Sequence, residues 1–202
     1  KTPDKALSSI NELLESAINE SVDLMPEKKE RLAESLRLIG ADYERLSPYI
    51  AKIVHLLRGL NIRAVLQTDT DFLGLFYEAF LRYGYDNNAL GIVFTPRHIT
   101  KFCAELIEAN PTDKIIDLAC GTGGFLVAAF DMMISKAHGP KAIQKVKRSL
   151  FGFDTNPTIW ALATLNMFFR GDGKTHIENQ SCFDENSIKN IEDTFSKAFL
   201  NP

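Results

Sequence analysis

A nine-residue run, Asp117-Leu118-Ala119-Cys120-Gly121-Thr122-Gly123-Gly124-Phe125, is the part of this sequence best suited to chemistry. Its glycines let the chain turn sharply off a strand and let a ligand touch the backbone. A helix that opens at Gly123-Gly124 points its first N–H groups back into the turn, which suits a nucleotide-like ligand. A tight strand-to-helix turn with no ligand is the plain alternative. The dinucleotide fingerprint G-x-G-x-x-G fits poorly, because Leu126 stands where its last glycine is wanted. Asp154 follows 31 residues after Gly123, at the end of the next apolar stretch. A carboxylate there can accept both hydroxyls of a ribose. Its alternative role is to cap the following helix, but Asn156, directly before Pro157, is the better cap and leaves Asp154 available.

The other reactive side chains form no convincing group. His55, His98, His138 and His176 are scattered without a carboxylate at ligand spacing, so no metal site is expected. Cys120 has no evident histidine partner and reads as a small buried residue. Lys141, Lys145, Lys147 and Arg148 could meet phosphate, but they read better as a solvated helix face. Trp160 and Phe168-Phe169 take packing positions. Cys103, Cys120 and Cys182 make neither a disulfide framework nor a metal pair, and they suit a reducing cytoplasm.

These residues need a scaffold, and the patterning supplies two parts. Up to about residue 90 the chain reads as helices. Leu7, Ile10, Leu14, Ala17 and Ile18 recur at helical spacing, and Pro26 opens a second helix that Gly40 would stop. Ser47-Pro48 repeats the start signal, with Gly59 as the stop, and Asp71 to Tyr83 makes a fourth apolar-faced helix. From about residue 91 the pattern alternates. A helix from Thr95-Pro96 to about Glu108 leads to a strand at Lys114–Ala119 and a helix at Gly124–Lys136. A helical piece at Lys141–Arg148, a strand at Leu150–Asp154 and a helix at Pro157–Arg170 follow. His176–Phe183 and Lys197–Leu200 are further strands. This order predicts a mostly parallel sheet with helices on both faces.

Composition sets limits on the whole. The 202 residues are 45% hydrophobic and 24% charged, with 14 Phe and a net charge of −3, which argues for a packed core and against disorder. No run approaches the roughly 18–20 apolar residues of a membrane span. Lys and Arg number 11 against 14 acids before Phe94, and 12 against 12 from there on. If nucleic acid is the substrate, bulk charge on this chain does not supply the grip.

With the motifs in place, the sequence resembles the N6-adenine DNA methyltransferases, and specifically the modification subunits of type I restriction systems. D-L-A-C-G-T-G-G-F is similar to their motif I, D-P-A-C-G-T-G-G-F, with Leu118 in the Pro place. Phe94-Thr95-Pro96-Arg97 resembles their F-T-P-R segment, and Gly152-Phe153-Asp154-Thr155-Asn156-Pro157 their G-x-E-x-N-P. Asp71 to Leu81 resembles D-x-L-G-x-x-Y-E-x-x-L, and Asn201-Pro202 the start of the catalytic N-P-P-F/Y tetrapeptide. The resemblance covers roughly residues 70–202; the first part matches only as helical.

The resemblance implies a fold: an N-terminal helical domain over 1–90, then over 91–202 the first part of a Rossmann-like α/β methyltransferase sheet. It implies S-adenosylmethionine as cofactor and methyl transfer to an adenine amino group. Phe94, Thr95, Asp117, Ala119, Gly121, Thr122 and Gly123 would line its methionine end. Asp154 would hold the ribose, and Thr155 or Asn156 would edge the adenine. Asn201 and Pro202 would accept the hydrogens of the target amine. DNA, a specificity subunit and a restriction subunit are the implied partners, with no membrane. One departure stands out. The family has G-D-S-L on its third strand, and here Asn179-Gln180-Ser181-Cys182 takes that place. Gln180 could still meet the adenine as an amide, and Asp184 is the nearest replacement acid.

Two other readings stay open at this level. One is an amino-group methyltransferase acting on RNA bases or a protein glutamine; the other is a non-catalytic assembly module with the same fold. The chain starts at Lys1 and stops just after Ala198-Phe199-Leu200, so a piece of a longer protein, inactive by itself, is the expectation.

Overall fold

The parallel sheet forms around one short, wholly buried strand. The computed structural model describes residues 3–21, 24–59, 95–185, 187 and 194–202. The chain divides into two compact units, Lys1–Asp86 and Asn87–Pro202. Phe94 and the segment from Asp71 to Leu81 lie outside the described residues, as does the expected fourth helix.

In the first unit three helices are described: α1 (Pro3–Glu20), α2 (Pro26–Leu36) and α3 (Gly40–Gly59). Ile18, Leu24 and Leu32 are buried. The Asn11 side chain clamps the link between α2 and α3, donating to the Leu38 carbonyl and accepting from the Leu38 N–H, both at 3.0 Å. One expectation fails here. Pro48 lies inside α3 instead of opening it, and Gly40 starts that helix instead of stopping the one before. The stretch Ala41–Leu46 is mostly good helix formers, so the helix extends back across the proline despite the lost backbone bond and the crowding of its ring against the preceding turn.

The second unit holds α4 (Arg97–Leu106), β1 (Ile115–Asp117), α5 (Gly124–Lys136) and α6 (Pro140–Val146). After these come β2 (Leu150–Asp154), α7 (Pro157–Phe169), β3 (His176–Asn179) and β4 (Lys197–Phe199). The four strands form one parallel sheet in the order β3-β2-β1-β4. β1 is central and buried at every position, so it reads as a continuous apolar run that ends in an acid. The helices α5 and α7 carry the crossovers from β1 to β2 and from β2 to β3. Right-handed crossovers that step one way along a sheet leave both helices on one face, and α5 and α7 are in contact.

Packing fixes these elements to one another. Leu126, Met133, Leu150, Trp160, Met167 and Ile177 are fully buried between the helices and the sheet. The Trp160 indole N–H donates to the Ile177 carbonyl at 2.9 Å, tying α7 to β3. Arg170, just past α7, donates from one guanidinium nitrogen to both Asp131 oxygens, at 2.9 and 3.1 Å, which ties α7 to α5. At the sheet's far end, Asp113 accepts from Lys197 at 2.6 Å and from Ser196 at 2.9 Å, locking β4 beside β1.

Candidate active site

The strand order creates a crevice. From β1 the chain steps outward to β2 and β3, then returns to place β4 on the other side of β1. β1 and β4 are thus neighbours in the sheet with the order reversing between them, and in open α/β sheets a ligand crevice lies outside the C-terminal strand ends at such a point. β1 ends there in Asp117, paired in register with Phe199 of β4, and the Leu118 N–H donates to the Phe199 carbonyl at 3.2 Å. Leu200, Asn201 and Pro202 continue from the same edge. Phe125, at the start of α5, stacks on Phe199 with ring centres 5.0 Å apart and closes the floor between them.

The glycine loop leaves this edge in a conformation that its residue types dictate. Gly121 and Gly123 have φ of +55° and +81°, in the left-handed region where a side chain is strained. The Gly123 N–H donates to the Cys120 carbonyl at 2.8 Å, and its own carbonyl accepts from Val127 at 2.8 Å, which starts α5. The Cys120 N–H donates to the Phe153 carbonyl at 2.9 Å, so the loop continues the pairing of β1 with β2. Cys120 is buried and packs against Gly152; a Cβ at 152 would fall 3.1 Å from Cys120 Cβ and 2.9 Å from Leu126 Cδ1.

Two carboxylates face this loop. Asp117 is 0% exposed. Its Oδ1 accepts from the Ala119 N–H at 3.2 Å, while its Oδ2 is buried with no hydrogen-bond partner. Burial raises its pKa to about 7; the Ala119 bond opposes that rise and the nearby Asp154 charge adds to it. Asp154 ends β2. Its Oδ2 accepts from the Gly121 N–H at 3.2 Å and its Oδ1 from the Asn156 N–H at 2.8 Å. Burial pushes its pKa up, against those two backbone bonds. Asn156 caps α7, accepting from Thr158 N–H at 2.9 Å and Ile159 N–H at 3.2 Å, so Asp154 is not the helix cap.

The predicted residues fall into three places. Asp117, Ala119, Gly121, Thr122, Gly123 and Asp154 gather around the loop. Thr95 and Asn201 meet each other: the Asn201 Nδ2 donates to the Thr95 hydroxyl oxygen at 3.0 Å, across 106 positions. Both Asn201 and Pro202 are exposed. Thr95 does not cap α4 as expected. The cap position falls on Pro96, whose carbonyl accepts from Ile99 and Thr100. The proline holds an extended backbone there, which moves the helix start one place on and frees the threonine hydroxyl for Asn201. Thr155 is exposed at the lip after β2, and Gln180 stands just past β3 beside it.

Three residues of this edge make contacts that were not foreseen, and two of them, Asn166 and Ala163, belong to no motif. Asn179 donates to the Asp154 carbonyl at 3.0 Å. Asn166, on the third turn of α7, donates to the Thr122 carbonyl at 3.1 Å. Ala163, one turn earlier on α7, is 3.6 Å from where a Gly123 Cβ would stand. The available signal was a small residue and an amide three apart on a mostly apolar helix. Among the described residues no group of His, Cys, Asp or Glu is close enough to hold a metal ion.

Comparison with known proteins adds a family. Residues 68–202 match the N-6 DNA Methylase family. A type II restriction enzyme and methyltransferase, RM.BcgI of Heyndrickxia coagulans, is 42% identical over 138 residues, covering 67% of this chain and 22% of that protein. The type I restriction enzyme HindI methylase subunit of Haemophilus influenzae is 37% identical over 103 residues, covering 50% of this chain and 22% of that protein. The chain thus spans about a fifth of the length of these curated relatives. Among solved structures, a chain of a type I R-M system superposes on all of this chain and 41% of its own with a TM-score of 0.68, at 23% identity. At that identity the likeness shows the fold.

Proposed function

Because this chain belongs to the N-6 DNA methylase family, we propose that it forms the cofactor site and part of the catalytic site of an S-adenosylmethionine-dependent DNA adenine-N6 methyltransferase. The observation that carries this reading is the orphan oxygen of Asp117. A fully buried carboxylate oxygen without a partner, at the foot of a glycine loop, fits a ligand that brings its own cationic donor. The ammonium of a methionine moiety is such a donor. Asp154 already accepts two backbone N–H groups, but each oxygen keeps a lone pair for a ribose hydroxyl.

When bound, S-adenosylmethionine supplies an electrophilic methyl on a sulfonium. The chain's own residues do the rest of the work at this edge. The lone pair of an adenine amino group is drawn into the ring, so the nitrogen is a poor nucleophile. The Asn201 Oδ1 and the Pro202 carbonyl accept its two hydrogens and return electron density to the nitrogen. Thr95 takes the Asn201 Nδ2 hydrogen and so leaves Oδ1 as the outward acceptor. The loop and Asn201 leave one sheet edge, which sets donor and acceptor groups on either side of a single crevice. A base must leave its duplex to reach such a recess.

The type I resemblance assigns duplex recognition to a DNA-reading subunit and nuclease function to a restriction subunit, and the net charge of −3 fits that division of labour. The test is methyl transfer by the full-length protein from labelled S-adenosylmethionine. Label on adenine N6 of duplex DNA is the expected result. Label on RNA or a protein glutamine, or none on any substrate, would overturn it.

A further inference from the structure

The glycine loop is gripped at three successive residues by groups from outside it. The Gly121 N–H is taken by Asp154, the Thr122 carbonyl by Asn166, and Gly123 lies against Ala163. The middle grip stands apart. The peptide unit joining Thr122 to Gly123 has its carbonyl held by the Asn166 amide and its N–H held by the Cys120 carbonyl. Both polar ends of one peptide plane are occupied, so that plane cannot rotate without losing two hydrogen bonds. Gly123 on its C-terminal side is the residue with the greatest freedom to let it rotate. Asn166 is also the one amide on α7, and its neighbours Ala163, Thr164 and Met167 are buried. The Thr164 hydroxyl is buried there with no partner, whereas the Asn166 amide reaches out of the helix to a loop 44 positions away.

We infer that Asn166 is a positioning residue for the cofactor: its side-chain amide holds the 122–123 peptide plane in the orientation that the methionine end of the ligand requires. The inference rests on the reading above, that this crevice takes S-adenosylmethionine. Asn166 touches no ligand atom itself. Its removal leaves the loop free to turn the Thr122 carbonyl, so the effect falls on cofactor affinity and spares the methyl-transfer step once cofactor is bound.

The experiment uses the full-length protein, with S-adenosylhomocysteine as the calorimetric probe and S-adenosylmethionine as substrate. Asn166→Asp keeps the shape and replaces the donor with a carboxylate that repels the Thr122 carbonyl. Its affinity at pH 8 should fall about tenfold, the scale of one lost hydrogen bond to a half-buried carbonyl. KM for the cofactor should rise with it, while kcat at saturation and the affinity for DNA stay unchanged. Asn166→Ala, which removes the donor without adding a charge, should lose affinity to a similar or smaller degree and show the same split between KM and kcat. Thr164→Val, two positions away, removes an unpartnered hydroxyl and should bind like wild type. Equal binding by wild type and both Asn166 variants would overturn the inference alone. So would a parallel loss of kcat, DNA binding and thermal stability, which marks a structural role only. No heat with wild type would overturn the cofactor reading, and this inference with it.

Discussion

The loops after β1 and after β3 leave the same edge of one sheet, and they are held in opposite ways. The first is bonded from outside at nearly every residue: Cys120 to β2, Gly121 to Asp154, Thr122 to Asn166, with Gly123 packed on Ala163. The second is held by its own turn. Ser181 accepts from Phe183 N–H at 3.2 Å and from Asp184 N–H at 3.1 Å, and Phe183 is 88% exposed. The difference follows from place in the sheet. β1 has a strand on each side and two helices near its end, whereas β3 is at the edge of the described order. A loop bonded to two neighbouring elements can present backbone groups with little freedom, which is what a small ligand's fixed end needs. An edge loop can only offer side chains, and those are free to vary.

The comparison can be broken first at Asp117. Its pKa in the folded chain, about 7, lies above its ordinary value of 3.8. The folded state then binds the extra proton between about pH 4 and pH 7. Stability from this group therefore declines as pH rises through that window, and the whole cost is present above pH 7. Asp117→Asn removes that pH dependence, so relative to wild type it should gain about 4 kcal/mol more stability at pH 8 than at pH 4. The same variant should abolish cofactor binding. Urea unfolding at the two pH values and calorimetry with S-adenosylhomocysteine check both halves. A variant that binds normally would remove the main reason for treating the enclosed loop as the cofactor's seat.

Gly152→Ala attacks the enclosure from β2. The new methyl meets Leu126 and Cys120 below normal contact distance, and overpacking of this kind costs about 1–3 kcal/mol. Thermal unfolding reads the loss. Asn156→Ala removes the two-bond cap of α7, the helix that backs the loop, and should cost ~1 kcal/mol in the same measurement. The smallest change is expected at the open loop. Gln180→Ala should leave stability within about 0.5 kcal/mol of wild type, and its cofactor KM should shift less than that of Asn166→Asp. A complete loss of binding on Gln180→Ala would make the two loops equal contributors and end the contrast.

The two loops also differed in how far they could be read beforehand. Asp117 through Gly124 is a local message, because glycine φ values, a strand's apolar run and a helix start are properties of adjacent residues. The same holds for Leu150–Asp154 and for Asn156 before Pro157, where turn chemistry alone places strand end, cap and helix. The β3 end had no such message. The expected strand to Phe183 stops at Asn179, since Ser181 turns the chain back on itself. Ser47-Pro48 shows the opposite failure, a correct local start signal overridden by helix formers on its N-terminal side.

By itself, then, the sequence determined which short segments are strands, where the backbone turns through glycine, which asparagine caps α7, and that two acids end neighbouring strands. Each of these is settled by residues within a few positions of one another. Only the tertiary structure decided that β4 returns beside β1, that Asn201 meets Thr95, that Asn166 reaches Thr122 and that Asp117 keeps one oxygen without a partner. Those facts depend on strand order and on helices crossing a sheet. Spacing along the chain does not encode them, because burial and long-range hydrogen bonds arise only when distant segments share one core.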